Sequence, residues 1–369
     1  MTMHEPKRES TQADPPKSGG ENSAVLPVRE VVEIVREWVD LHARYLPGFA
    51  GAYLWAGITA LSPDAPFPLY RDVDVVVVLP EGAQDDTVEV FYRGVMLEVI
   101  SIDLEAHQSA DAILANPSHG PNMATTLILS DPTGVLTPLH RKVASEYGHR
   151  RWIEARCESE RESANKHLAA MQAASTPRER LDAVWAFLGA LSGLLAVAQL
   201  KRPTTRRSLA LLREMLQAQG RPDLHEAALA LFGSAHMSRE DVQTILDRSV
   251  AAFDRSVEVY KTPTTYGFTI RPHLRPYLSK ASQEMIDEGN HREAMFWITA
   301  LAGESYLVLQ NDVPDGEKPQ FAAQLQAMHS ALGYANTSAE SWAERVDSAE
   351  RLAHEIYRIA KALAALNPE

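Results

Sequence analysis

The stretch RDVDVVVVL, Arg71 to Leu79, sets two aspartates one residue apart at the start of an unbroken apolar run. Four consecutive valines are β-branched and favour extended backbone, and an apolar run without alternation implies a strand covered on both faces. In a strand, residues i and i+2 project from the same face, so Asp72 and Asp74 point together while Val73 points away. Two carboxylates held in that way repel each other unless something positive sits between them. A hard divalent cation meets the need, because Mg²⁺ is commonly held by one or two carboxylates together with phosphate oxygens. An isolated Asp-x-Asp is more often a solvated turn, so the neighbouring sequence has to decide.

Upstream, AGAYLWAGITAL reads as a short strand entering a glycine turn. Gly57 and Thr59 lie in that turn, where free backbone amides and a hydroxyl could meet a phosphate. LSPDAPFPLY, with three prolines, is expected to be loop. Downstream, TVEVFYRGVMLEVISIDL has two β-rich halves joined at Arg93 and Gly94, a hairpin signal. Its second half carries Glu98 in mid-strand, and a carboxylate there needs a reason, since charges are rarely buried unpaired. TTLILSDPTGVL supplies one more short strand. An amphipathic helix from Leu26, with Pro27 suited to its first turn, opens this region.

Beyond His140 the pattern changes to helical periodicity. Segments 141–172, 177–200, 204–219, 223–232, 238–260, 272–287, 290–310, 317–332 and 338–366 are broken at Pro, Gly or Asn, and STPRER and TSAESW look like capped helix starts. The expected architecture is α+β: a tail over residues 1–25, a small mixed-sheet domain over 26–147 and an all-helical domain over 148–369. The length of 369 residues suits two domains. A net charge of −13, from 49 acidic against 36 basic residues, argues against a general nucleic-acid surface. The single cysteine, Cys157, fits a reducing compartment, and cytoplasm is the expectation. The apolar run at 186–200 is broken by glycine and serine and reads as a buried helix rather than a membrane span.

A glycine turn, an Asp-x-Asp strand and a third strand-borne acid, in that order, resemble the nucleotidyltransferase superfamily, and the added helical domain is similar to that of the antibiotic nucleotidyltransferases, including those acting on aminoglycosides. The likeness covers residues 50 to 136. It implies that Asp72, Asp74 and Glu98 form the catalytic, metal-holding set for Mg²⁺, two ions in the full site, and that Gly57 and Thr59 contact ATP or another nucleoside triphosphate. A nucleotidyl group would pass to a hydroxyl of a small-molecule or protein acceptor with loss of pyrophosphate. Glu98 is either a ligand or the base that takes the acceptor's proton. Two positions depart from the family pattern, Ile58 where a serine is common and Arg71 where a small hydroxyl residue is common.

A triphosphate also needs cations from the protein. KRPTTRRSLALLR gathers Lys201, Arg202, Arg206, Arg207 and Arg213, with Pro203 suggesting a helix N-terminus; Lys201 and Arg206 are the preferred phosphate contacts, against the alternative of a solvated basic face. Glu293 is a candidate base from the helical region, though an ordinary helix acid is the simpler reading, and YKTPTTYGFTIRPHLRPYL at 260–278 could line an acceptor pocket. His107, His119, His140 and His149 share no zinc spacing. Two readings compete with catalysis: a nucleotide-binding or interaction protein without turnover, and a toxin–antitoxin component carried by Arg161 and His167 in RESANKH. No membrane partner is expected, and a homodimer is allowed.

Overall fold

β-branched density and helical periodicity occupy different parts of the sequence, and the chain splits into two compact units. The computed structural model describes residues 24–80 and 87–369. All but the last two residues of the expected tail lie outside that range, and of those two Val25 opens a strand.

One compact unit comprises the described residues up to 108 together with 125–139. Its main sheet contains β2 (Gly51–Leu54), β4 (Asp72–Leu79), β5 (Thr87–Tyr92), β6 (Val95–Asp103) and β7 (Ile128–Ser130), in the order β5-β6-β4-β2-β7. β4 and β6 run parallel, while the β5–β6, β2–β4 and β2–β7 pairs are antiparallel, so the sheet is mixed. Arg93 and Gly94 join β5 to β6 with φ of 49° and 83°. Positive φ at both central residues matches the turn twist to the strands. Helix α1 (Val28–Leu41), with Pro27 at its N-cap rather than inside its first turn, buries Val28, Val31, Val35, Trp38 and Val39 against one sheet face. That face is built from Ala52, Leu54, Val73, Val75, Val77, Val95, Leu97 and Val99.

The proline-rich loop carries a structural correction. Pro66–Pro68 forms β3, which pairs antiparallel with β1 (Val25–Pro27) in a separate two-stranded sheet. Proline is excluded from central strands because it cannot donate to the ladder, but a two-stranded pair is all edge and tolerates it. The hydrophobic anchor is Phe67, 3% exposed in the α1 core.

The second unit comprises residues 109–124 and 140–369 and is helical. It contains α2 (Ala110–Ala115), α3 (His119–Thr125), the later part of α4 (Leu136–Glu146), α5 (Arg150–Ala173), α6 (Pro177–Ala198), α7 (Ser208–Ala218), α8 (Pro222–Phe232), α9 (Arg239–Val259), α10 (Arg275–Asp287), α11 (His291–Asp312), α12 (Lys318–Ala331) and α13 (Ala339–Ala364). The periodic stretch 141–172 is therefore two helices, interrupted at residues 147–149. α6 starts at a capping box in which Thr176 and Glu179 satisfy each other's backbone amides, and α9 starts at the equivalent box of Ser238 and Asp241. α13 is capped by Ser338 alone, which accepts from the Ser341 amide. Among the described residues only α6 is long and apolar enough by composition to cross a membrane, and 78% of that stretch is buried within the structure.

Candidate metal centre

The alternation of β4 splits its side chains between two environments. Val73, Val75 and Val77 enter the α1 core, so Asp72, Asp74, Val76 and Val78 take the opposite face. Parallel pairing then fixes the third acid, because Asp74 and Glu98 are register partners, as are Asp72 and Met96. Carboxylate oxygens of Asp72, Asp74 and Glu98 all lie within 4.8 Å of one another, and all three residues are half-buried.

Electrostatics makes that arrangement costly without a cation. Burial pushes the Asp74 carboxyl well above the usual carboxylate range, and the Asp72 charge, a hydrogen bond with Glu98 and the Glu98 charge add to the rise. A positive ion shared by three hard oxygen donors would remove the repulsion and favour ionisation. The donor set suits Mg²⁺ or Mn²⁺ and lacks the sulfur and imidazole ligands that zinc prefers.

The flank toward β2 holds the turn. β2 leads into a 3-10 helix, Ala56–Ala60, that contains Gly57 and Thr59. Gly57 is exposed, and a Cβ built on it would meet nothing within 4 Å, so open space lies over the backbone there. Ile58 is 5% exposed and belongs to the α1 core. The departure from serine thus has a packing cause: this residue points inward and plugs the end of the sheet, while Thr59 next to it is half-buried. Arg71 stacks over the neighbouring Tyr70 ring with its guanidinium carbon 5.8 Å from the centroid.

Two features were not singled out in the sequence. Glu89 on β5 is the register partner of Glu98, so it shares the face of the acids. Trp55 follows β2 and donates its backbone N–H to the Asp74 carbonyl at 2.9 Å, continuing the ladder in which Leu54 pairs with Val75. The signal for Glu89 was the Glu-x-Phe alternation of β5, but only the hairpin register places it beside Glu98.

The cationic candidates belong to the helical unit. Residues 201–207 precede α7, whose N-cap is Arg207, so Pro203 does not open a helix. Arg202 donates to Asn122 at 3.2 Å, Arg207 pairs with Glu288 at 2.5 Å, and Arg213 is bonded to Glu293 and Asn290. Arg206 stacks over Tyr277, 5.4 Å from the ring centroid, and Lys201 is exposed. Glu293 is 1% exposed, 3.0 Å from Arg213 Nη1 and 3.4 Å from His225 Nε2, where burial holds the imidazole below its ordinary pKa. Such an enclosed ion pair is an internal brace, not a base open to a substrate hydroxyl.

The segment at 260–278 is tied down by carboxylates of α9 and α11. Asp312 accepts from the Lys261 and Thr262 amides and the Thr262 hydroxyl, Glu304 accepts from Thr264, and Arg275 forms a two-point pair with Asp254 at 2.7 and 3.0 Å. Arg161 and His167 sit six residues apart on α5, a separation that turns their side chains well away from each other on a 3.6-residue helix, and Arg161 is engaged by Glu158. They do not form a joint site.

No protein-family model matches the chain, and no curated protein matches it. Among solved structures it is similar to a nucleotidyltransferase-like protein from Exiguobacterium sibiricum 255-15, with 14% sequence identity and a TM-score of 0.32, over 70% of this chain and 92% of that one.

Proposed function

We propose that this chain is a metal-dependent nucleotidyltransferase that moves a nucleotidyl group, AMP from ATP in the simplest case, to a hydroxyl of a small-molecule or protein acceptor. The observation that carries the reading is the convergence of Asp72, Asp74 and Glu98 within 4.8 Å at one end of a buried parallel pair. Asp72, Asp74 and Glu98 would hold Mg²⁺, which when bound neutralises phosphate charge and polarises the phosphorus under attack. The apolar remainder of β4 anchors the acids so that they need little reorganisation, and the Gly57 turn offers backbone to the outer phosphates. In the transfer, an acceptor oxygen bonds to the α-phosphorus, the bond from that phosphorus to the bridging oxygen breaks, pyrophosphate leaves with the electron pair and the hydroxyl proton passes to solvent. An aminoglycoside-type acceptor belongs to this proposal by analogy of fold, and analogy of fold does not choose a substrate.

The test is pyrophosphate release from Mg·ATP with a panel of hydroxyl acceptors, compared between the native chain and Asp72→Ala and Asp74→Ala. Turnover that survives both substitutions refutes the assignment. The second reading, nucleotide binding without transfer, draws support from Ile58, whose burial leaves no hydroxyl at that turn position. Calorimetric binding of Mg·ATP with no transfer across the panel favours it.

A further inference from the structure

Three arginines lie on α9, and two of them have carboxylate partners, Arg239 in Asp287 and Arg255 in Glu258 and Glu317. The third, Arg248, forms no ion pair and no hydrogen bond with any described residue. In a chain with 49 acidic against 36 basic residues, a guanidinium left without a carboxylate calls for a cause. The cause lies in what it faces. Arg248 lines a cleft of about 390 Å³ within the helical unit, a size inside the roughly 300–1,000 Å³ range of small-molecule sites.

α9 and α12 both pack on α11 and wall this cleft, and Tyr306 of α11, 2% exposed, lies deepest in it. On α9, Asp241, Ile245 and Arg248 follow at steps of four and three residues, so they share one face. On α12, Gln324, Ala327 and Met328 form the matching face. α12 contains no acidic residue, so the wall opposite Arg248 offers it no partner. The Tyr306 hydroxyl donates to Gln324 Oε1 at 3.4 Å, a long contact that a stronger acceptor displaces. Burial pushes that hydroxyl up to about 12 while the Arg248 charge pulls it down, so the phenol keeps its proton at neutral pH and lies within electrostatic reach of the guanidinium. With Oε1 taken by the phenol, Gln324 presents its Nε2 amide, which bonds to no described residue. Guanidinium, amide and phenol therefore bring donors to one end of the cleft, and no described side chain there accepts from the guanidinium. Asp241 stands at the other end, seven residues and about 10 Å away along the helix, and its carboxylate is engaged by the Ser238 amide and hydroxyl. Between the two ends the walls are Ile245, Ala327 and Met328.

We infer that this cleft binds a small carboxylate with an apolar body about 10 Å long, its head group on Arg248 and Gln324 and its body over Ile245, Ala327 and Met328. A planar guanidinium fork matches a carboxylate at two points, and the apolar stretch selects against ions that have no hydrocarbon to bury. A neutral apolar ligand would leave the guanidinium as it is now, without a counter-charge. The inference stands on the helical unit alone and is independent of the chemistry assigned to the sheet acids.

The experiment is calorimetry on the full chain with three probes. Octanoate has the charge and the length, octanamide keeps the chain without the charge, and acetate keeps the charge without the chain. Arg248→Gln removes the charge at an exposed position that holds no protein partner among the described residues, and Ala327→Leu fills the cleft from an exposed helix position with a residue of good helix propensity. The expected result is one saturable octanoate site, with octanamide and acetate each at least about tenfold weaker, and at least about a tenfold loss of octanoate affinity in each variant. Both variants are expected to keep the native melting temperature, and should Ala327→Leu fail to fold, Arg248→Gln decides the matter by itself. Equal affinity for octanoate and octanamide overturns the inference, because the guanidinium then takes no part. Octanoate binding that is unchanged in Arg248→Gln overturns it, since the anion then sits elsewhere, and so does a native chain that shows no saturable octanoate binding.

Discussion

Asp74 and Glu98 stand opposite each other in the parallel ladder of β4 and β6, one acid on each of two adjacent buried strands. Like charges in that relation destabilise a sheet, and here Asp72 adds a third to the cluster. Burial and those neighbours raise the Asp74 carboxyl, so in the metal-free protein Asp74 resists ionising. The sign of the consequence is definite: the group costs stability as pH rises through its unfolded-state value, and a bound cation reverses that cost.

Asp74→Asn is accordingly expected to stabilise the metal-free protein by about 1 kcal/mol at neutral pH while lowering transfer activity at least ~10²-fold. Thermal melts with and without Mg²⁺ or Mn²⁺ check both halves of the claim. The native chain gains stability with metal concentration by mass action, about 2.7 kcal/mol at a hundred times the dissociation constant, and the variant gains little.

Glu160 on α5 packs against Gly193 of α6 so closely that a Cβ on the glycine would lie 2.8 Å from Glu160 Oε1. Burial pushes the Glu160 carboxyl up to about 7. The folded chain therefore binds a proton that the unfolded chain has lost between about pH 4.5 and 7, and stability falls with rising pH across that window and is level above it. Glu160→Gln removes this slope and stabilises the protein at pH 8 by on the order of 1–3 kcal/mol. Chemical denaturation at pH 5 and pH 8 measures the difference, and an unchanged slope in the variant refutes the assignment.

Gly233 caps α8 with φ of 100°, and a Cβ there would lie 2.1 Å from the Leu332 carbonyl oxygen. Backbone cannot swing aside as a side-chain tip can. Gly233→Ala is expected to cost roughly 3 kcal/mol or more, from strain and overlap together, read as a fall in the denaturation midpoint.

The Glu293–Arg213 pair predicts a separation of stability from function. Glu293→Gln leaves the half-buried Arg213 guanidinium without its carboxylate partner and is expected to cost about 3 kcal/mol. Binding of Mn²⁺ to the sheet unit should be unaltered below the new melting temperature, measured by calorimetry. Loss of metal binding without loss of stability would restore Glu293 as a candidate for the chemistry.

Much of the fold was legible because it rests on local chemistry. The valine run, the Arg93–Gly94 turn, the helical periods and the Thr176–Glu179 capping pair each express a preference of adjacent residues, and the elements lie where those preferences place them. The β1–β3 pair was missed because prolines there are tolerated only by an edge, and pairing partners forty residues apart carry no mark in the chain. The basic run at 201–213 was readable as charge but not as function. Arg207 and Arg213 find acids 80 or more residues away, a neutralisation that depends on helix packing.

By itself the sequence determined the α+β class, the alternation that puts Asp72 and Asp74 on one face, and the presence of Glu98 in a strand, since strand period and β-branching are properties of neighbouring residues. Only the tertiary structure decided that Glu98 and not another acid stands beside Asp74, that Ile58 turns into the core, and that Trp55 stacks on Tyr53, whose hydroxyl meets His107. Register between strands is chosen by which faces the whole core buries, and no single segment contains that information.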